Sequence, residues 1–200
     1  NVVELANRYN VKQFIFASSA SVYGATPKKS NENDTPNPLD IYGCSKLCGE
    51  QITRNLCQVN WSILRLFNVI GTNETHEHLL PAIIKQLKND SGLILGNLES
   101  KRDYLFVKDL VDGVSRIINN KKAYSQILNM GTGSGTSVRG VVREFEIALK
   151  KRIEIEQSMN LKRGIDNPAL VASIEKIQKL IKWQPKHSFQ EALKKILFTK

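Results

Sequence analysis

Short apolar runs alternate along this chain with longer segments whose apolar residues recur at helical spacing. The runs Val11–Ala17, Trp61–Val69, Tyr104–Val107 and Ile127–Met130 are rich in branched and aromatic residues, a pattern typical of buried strands. Helices are predicted at 2–9, 41–59, 81–89, 108–119, 137–150, 173–181 and 188–197, with further short strands at 93–95 and 152–155. Strands that alternate with helices predict an α/β fold with a mainly parallel sheet.

The length of 200 residues allows one domain, or one domain with a small additional lobe, and excludes two large domains. Hydrophobic residues make up 41% of the chain and charged residues 24%, an ordinary mix for a folded protein. The apolar runs are all far shorter than the roughly 20 residues that a membrane helix requires. We therefore expect a folded cytoplasmic protein without membrane association.

The chain is basic, with a formal net charge of +10, and residues 150–200 carry much of the excess. A solvated basic surface explains most of these lysines, and a phosphate-bearing ligand or a polyanion is the alternative. Aromatic residues amount to 7% and show no interleaved stacking pattern, and we recognise no nucleic-acid reader motif. We expect no nucleic-acid partner.

The three cysteines, Cys44, Cys48 and Cys57, are odd in number and contain no C-x-x-C pair. Neither a disulfide framework nor a zinc site is predicted, and a reducing compartment fits. Cys44 and Cys48 share a helix face, and we interpret them as packing residues rather than ligands. No metal site is predicted.

A loop dense in Ser, Gly, Pro, Asn and Asp runs from Ser18 to Asp40. Its length favours a binding or active-site role over a simple connection. Ser18 and Ser19 directly follow a predicted strand, and open α/β sheets bind their ligands at the carboxyl ends of strands. These two serines are therefore candidate site residues.

Tyr42 and Lys46 are four residues apart, so one helical turn brings the ammonium group near the phenol. Many such pairs are incidental surface neighbours, and a functional interpretation requires a third group, which Ser18 and Ser19 can supply. A phenol is a useful base only if its pKa falls from about 10 toward 7, at a cost of about 4 kcal/mol. The positive charges of a neighbouring lysine and of an oxidised nicotinamide ring could supply that stabilisation.

Several further segments fall in one order along the chain. They are F-A-S-S-A-S-V-Y-G (16–24), Y-G-C-S-K (42–46), R-L-F-N-V-I-G (65–71), H-L-L-P (78–81), R-D-Y-L-F-V-K-D (102–109), G-T-G-S-G-T-S-V (131–138), and Arg163 with Asp166. Together they resemble the extended short-chain dehydrogenases/reductases, specifically the nucleotide-sugar epimerase/dehydratase family. The matches span nearly the whole chain, and an ordered set is far more specific than any single motif.

The resemblance implies NAD as cofactor and a nucleotide sugar as substrate. By resemblance, Ser19 hydrogen-bonds the reacting hydroxyl, Tyr42 is the acid/base, and Lys46 binds the nicotinamide ribose and lowers the pKa of the tyrosine. It also implies that Ser18 and Phe67 contact the cofactor. The residues implied to bind the nucleotide diphosphate and ribose are Asn68, His78, Leu79, Arg102, Arg163 and Asp166. For Arg102, a structural ion pair is the alternative.

The segment Ser19-Ala20-Ser21 lacks the Asp-Glu pair that typifies the 4,6-dehydratases of this family. We therefore expect 4-epimerisation of a UDP-hexose through a 4-keto intermediate, as in the UDP-glucose 4-epimerase branch. Another dehydratase or reductase of the family, or a non-catalytic nucleotide-binding member, is the alternative. Leu66 and Leu95 depart from the residues common in that branch, and the short stretch 95–102 resembles other branches, including GDP-mannose dehydratases.

The glycines at 131, 133 and 135 imitate a dinucleotide fingerprint, but G-x-G-x-G is not its spacing, and we expect a structural turn. The fingerprint is expected upstream of Asn1. The predicted fold is thus the C-terminal part of a Rossmann-like doubly wound parallel sheet with a smaller α/β substrate-binding lobe, the N-terminal nucleotide-binding half being missing. Residues 1–70 are assigned to the Rossmann-like part and residues 71–200 mainly to the substrate-binding lobe, with about 104–130 returning to the Rossmann-like part.

The helix at Tyr42 resembles the family's dimerisation helix, which implies a homodimer.

Overall fold

The computed structural model describes residues 1–26, 28–74, 78–89, 92–161 and 167–198. The helices are α1 Val2–Arg8, α2 Ile41–Leu56, α3 Leu79–Leu87, α4 Val107–Ile117, α5 Val138–Leu149, α6 Glu175–Ile181 and α7 Phe189–Phe198. The strands are β1 Phe14–Ser19, β2 Trp61–Leu66, β3 Asn68–Ile70, β4 Leu93–Leu95, β5 Lys101–Arg102, β6 Tyr104–Phe106, β7 Gln126–Met130, β8 Thr136–Ser137, β9 Ile155–Gln157 and β10 Ala169–Leu170. Short 3₁₀ helices cover Ala20–Tyr23, Lys121–Ala123 and Met159–Leu161.

The first sheet is parallel and has the strand order β1-β2-β7. Its register pairs Ser18 with Arg65, and Leu66 with Met130. Parallel strands in one sheet need a crossover connection, and α2 supplies it between β1 and β2. The α/β fold with a parallel sheet is confirmed. One core cluster of this part contains Leu64, Leu128, Met130, Ile177 and Trp183.

The second group of strands forms smaller sheets. Strands β3 and β6 pair in parallel, β4 pairs with β9 in parallel, and β5 lies between β10 and β8, antiparallel to the latter. A second core cluster lies beneath them and includes Ile83, Leu93, Phe145 and Leu193. This cluster joins α3, α5 and α7 to the short strands.

The predicted strand 61–69 is divided in the structure at Phe67. The Phe67 N–H still donates to the Met130 carbonyl at 3.0 Å, whereas the Asn68 N–H donates to the Asp103 carbonyl at 3.0 Å. The chain therefore exchanges one neighbouring strand for another at this point, and β3 begins a different sheet.

Other element boundaries also differ from the prediction, most of all in three elements. Strand β1 starts three residues later than predicted and continues through Ser19, so both serines belong to the strand. Helix α2 ends at Leu56 rather than near residue 59. The Cys57 N–H caps this end by donating to the Thr53 carbonyl. Strand β9 begins at Ile155 rather than 152, because Ile153 is buried and its N–H donates to the Glu146 carboxylate at 2.9 Å.

Candidate active site

The first turn of α2 is held against the turn that follows β1. The Asp40 side chain caps the helix, with Oδ1 accepting from the Gly43 N–H at 2.6 Å. A Cβ at Gly43 would lie 2.8 Å from the Ser21 carbonyl oxygen, so a glycine permits this approach. The packing presents Tyr42, 53% exposed, at a cavity beside the sheet edge.

Lys46 lies one turn beyond Tyr42 on α2. Its Nζ donates to the Ala17 carbonyl at 3.0 Å and stands 5.5 Å from the centroid of the Tyr42 ring. The predicted proximity of the ammonium group to the phenol is therefore present, and the lysine is directed to the end of β1.

The next turn of α2 carries a buried carboxylate. Glu50 Oε1 accepts from the Ser18 hydroxyl at 2.6 Å and from Arg65 Nε at 2.9 Å, while Oε2 accepts from Arg65 Nη2 at 2.7 Å. The Arg65 guanidinium also lies 4.6 Å from the centroid of the Tyr23 ring. Burial opposes the charge of Arg65, but its bonds to Glu50 outweigh that effect and the pKa of Arg65 is raised. This network locks α2 to β1 and β2 directly beneath the candidate catalytic residues.

Ser19 is buried, and its hydroxyl is already engaged. Its Oγ accepts from the Ser21 N–H at 3.1 Å and lies 3.2 Å from Ser21 Oγ. Ser21 itself lines the cavity. In the sequence Ser21 marks a departure from the dehydratase pattern, and in the structure it lies at the candidate site.

A cavity of about 520 Å³ lies between α2 and the smaller sheets. It brings together five residues predicted from the sequence, namely Tyr42, Asn68, His78, Leu79 and Arg102. Ser18 and Phe67 are buried within the fold, at 2% and 3% exposure. Arg163 and Asp166 lie outside the described residues.

Arg102 is tied to the opposite side of the cavity through Asn167. Its Nη1 donates to the Asn167 carbonyl at 2.7 Å and to its neighbour Lys101 at 2.9 Å. The Asn167 side-chain amide donates in turn to the Gly24 carbonyl, just beyond the turn after β1. Sequence reasoning missed Asn167, since residues 24, 102 and 167 are distant in the chain and no periodicity relates them.

The glycine turn after β7 surrounds an internal carboxylate. Asp103, fully buried, accepts from the Thr132 N–H at 2.8 Å, the Thr132 hydroxyl at 2.6 Å and the Gly133 N–H at 2.9 Å. The Ala172 N–H is a further donor at 3.2 Å. Burial raises the pKa of Asp103, and these donors oppose that rise. A turn that directs its N–H groups at an aspartate serves the fold, and it holds β6, β7 and β10 together next to Arg102.

The described residues also bear on metal and membrane binding. Among these residues, no group of three or more His, Cys, Asp and Glu side chains is placed to hold a metal ion. No helix among them is long and apolar enough to cross a membrane.

A parallel sheet with a polar cavity at the carboxyl ends of its strands places the chain among the Rossmann-like α/β proteins. The model of the NAD dependent epimerase/dehydratase family matches residues 1–131. The chain belongs to that family.

Relatives and solved structures agree with this assignment. A UDP-glucose 4-epimerase of Lactobacillus helveticus is 33% identical over 94% of the chain and 63% of its own length. A GDP-6-deoxy-D-talose 4-dehydrogenase of Aggregatibacter actinomycetemcomitans is 31% identical over 80% of the chain and 55% of its own length. MoeE5, solved with NAD and UDP-glucuronic acid, superposes with a TM-score of 0.88 at 25% identity, over 96% of the chain and 66% of its own. The chain thus spans less than two thirds of the length of these relatives.

Proposed function

We propose that the protein interconverts nucleotide sugars that differ in configuration at C4, with a UDP-hexose as substrate and NAD as cofactor. The observation that carries this proposal is the convergence on one cavity of Tyr42, next to Lys46, and Arg102. A phenol can exchange a proton with a sugar hydroxyl, and a guanidinium matches the oxygens of a diphosphate.

The end of β1 fits the nicotinamide side of NAD. Ala17 is exposed beside Lys46, so a small side chain leaves room for a flat ring at this edge. An ammonium group has three donors, and donation to the Ala17 carbonyl uses one of them, which leaves donors for ribose hydroxyls. When bound, NAD supplies reversible hydride transfer at C4 of the sugar.

The residues of the chain supply the remaining steps. Tyr42 takes the proton of the C4 hydroxyl as the 4-keto sugar forms and returns it after the sugar has rotated. Ser19 and Ser21, already hydrogen-bonded to each other, orient that hydroxyl. Arg102, with Asn68, His78 and Leu79, retains the nucleotide diphosphate while the sugar turns.

An NMR time course tests the proposal. The full-length protein is incubated with a catalytic amount of NAD and either UDP-glucose or UDP-N-acetylglucosamine. We expect the 4-epimer to form, and Tyr42→Phe to reduce the rate at least about a hundredfold, the lower range for general acid–base catalysis. Tyr124→Phe, which removes the same hydroxyl from a tyrosine outside the cavity lining, is the matched control. A deoxy-keto product, or no conversion, would contradict 4-epimerisation.

A GDP-sugar is the second candidate substrate, favoured by a relative and by residues 95–102, a short stretch of the cavity wall whose sequence resembles that of GDP-mannose dehydratases. A Cβ at Gly96 would lie 2.6 Å from the Leu161 carbonyl oxygen, so this wall is drawn close to the 159–161 turn and is lined by Leu95 and Leu161. The Aggregatibacter relative acts, by its name, on a GDP-sugar. Turnover of a GDP-hexose but not of a UDP-hexose in the same assay would select this alternative.

We also propose that two copies associate through α1 and α2. Val2, Leu5 and Tyr9 are exposed on or beside α1, and Ile41, Ile52 and Leu56 on α2, and the two helices are in contact. Large exposed apolar side chains on adjacent helices are typical of protein interfaces. Light scattering should show a dimer. Ile52→Glu should dissociate this dimer, whereas Ile147→Glu, on α5, should leave it intact.

A further inference from the structure

We propose that Asp40 makes the sugar subsite selective for an uncharged sugar and against a uronate. The inference rests on the proposed function and deepens it, since it concerns the chemical class of sugar that the same cavity accepts.

The location of Asp40 follows from its role as helix cap. Its Oδ1 is bound to the Gly43 N–H at 2.6 Å, which places the carboxylate at the first turn of α2, two residues before Tyr42. Asp40 and Tyr42 line the same cavity. The N-terminus of a helix favours an anion, and Asp40 already supplies one there.

The chemistry of the sugar connects this carboxylate to C6. A sugar that reacts at C4 places C4 at the Tyr42 hydroxyl, and C6 is joined to C4 through C5. The substituent on C6 must therefore lie close to Tyr42 and within the field of its charged neighbours. In a uronate that substituent is a carboxylate, and two carboxylates at short range repel each other.

The remaining charges of the cavity do not offset this repulsion. In the described part of the chain, the lining side chains that carry a full charge at neutral pH are Asp40 and Arg102. Arg102 faces the diphosphate in the proposed function, so its charge is already matched by the phosphates. The other polar groups that line the cavity include Ser21, Asn68 and Asn167. These side chains are neutral and suit hydroxyl groups. Lys46 is directed at the Ala17 carbonyl, on the proposed cofactor side.

UDP-glucose and UDP-glucuronate form a matched pair of probes because they differ only at C6. Binding of each to the full-length protein with NAD is measured by calorimetry at pH 8, where an ordinary imidazole is neutral. We expect the wild-type protein to bind UDP-glucose about tenfold more tightly than UDP-glucuronate, the order expected of like charges across a partly solvated cavity.

Asp40→Asn is the informative variant, since Asn caps a helix as well as Asp does and the change removes only the charge. It should narrow the ratio of the two dissociation constants by about fivefold or more. Asp112→Asn, on α4 and outside the cavity lining, removes the same charge and should leave the ratio as it is. Circular dichroism checks that both variants are folded.

The outcomes separate the inference from the function on which it rests. Equal binding of both sugars by the wild-type protein, or an unchanged ratio in Asp40→Asn, overturns the selectivity while leaving the proposed function in place. Failure of the wild-type protein to bind either ligand overturns the UDP-sugar function and the inference with it.

Discussion

Two arginine–glutamate pairs of this protein have the same chemistry and opposite surroundings. Arg65 and Glu50 join β2 to α2, with side chains 3% and 2% exposed. Arg139 and Glu99 join α5 to the segment before β5, with side chains 61% and 74% exposed. The buried pair uses both carboxylate oxygens at 2.9 and 2.7 Å, whereas the exposed pair directs Nε and Nη2 to one oxygen at 3.2 and 3.1 Å.

The comparison indicates that burial decides how much stability is lost when one partner of an ion pair is removed. In the buried pair each charge has lost its water, so neither partner can be removed without leaving the other uncompensated. In the exposed pair solvent replaces a missing partner at once. The buried pair also holds Ser18 and the helix that carries Tyr42, so it positions the candidate site.

Glu50→Gln should have the largest effect on stability. The variant leaves the Arg65 guanidinium buried without a counter-charge, and we expect the free energy of unfolding to fall by about 3–5 kcal/mol. Urea unfolding followed by circular dichroism measures the loss.

The double variant Glu50→Met with Arg65→Met is the control for this prediction. It removes both charges and should recover much of the loss, since an apolar pair of similar volume needs no compensation. A Glu50→Gln loss below about 1 kcal/mol would show that Arg65 does not depend on this carboxylate.

The region of the smaller sheets has its own buried charge, Asp103, and removing this charge should cost less stability. Asp103 is satisfied by three N–H groups and one hydroxyl rather than by a cation. Asp103→Asn replaces an acceptor with a donor, so at least one N–H of the glycine turn loses its partner, at about 1–3 kcal/mol. Urea unfolding measures the loss. Asp34→Asn, which removes the same charge from the 24–40 loop, is the control that separates the effect of burial from the effect of charge. Equal losses in both would contradict the assignment of Asp103 as an anchor.

The two regions also differ in how much of them could be predicted from the sequence. Tyr42, Lys46 and Ser19 lie in local motifs on one strand and one helix, and helical spacing predicts the proximity of the first two. The contact of Arg102 with Asn167, and of Asn167 with Gly24, joins distant parts of the chain, and no local pattern carries it. The division of the strand at Phe67 was missed for the same reason, since it depends on which neighbour supplies the next carbonyl group.

Alkaline pH provides a third comparison of the two regions, through buried tyrosines. Burial raises the pKa of Tyr23, beneath Arg65, to about 12, and burial likewise raises the pKa of Tyr104 in the other core to about 12. Because each folded-state pKa lies above the unfolded value near 10, the folded state retains the proton, and stability falls as the pH rises from about 10 through 12. Each tyrosine should account for a loss of about 1.4 kcal/mol by pH 11.

Single phenylalanine variants assign this loss to its source. The unfolding free energy of the wild-type protein should fall between pH 9 and pH 11. Tyr23→Phe and Tyr104→Phe should each reduce that fall by the contribution of the tyrosine removed. Phenolate absorbance during the titration should show neither tyrosine ionising before the protein unfolds. An unchanged pH slope in both variants would contradict burial as the cause.

The smallest effect is expected from the exposed pair. Glu99→Gln removes the charge from a side chain that is 74% exposed, and Arg139 retains its water, so the loss should stay below about 0.5 kcal/mol. Salt should shrink even this loss, because an exposed pair is screened within a Debye length of about 10 Å at 0.1 M. Urea unfolding of Glu99→Gln and of Glu50→Gln, each at 20 mM and 500 mM salt, compares the exposed pair with the buried pair directly. A Glu99→Gln loss of the same size as that of Glu50→Gln would mean that geometry rather than burial sets the strength of both pairs, since the two differ in hydrogen-bond pattern as well as in exposure.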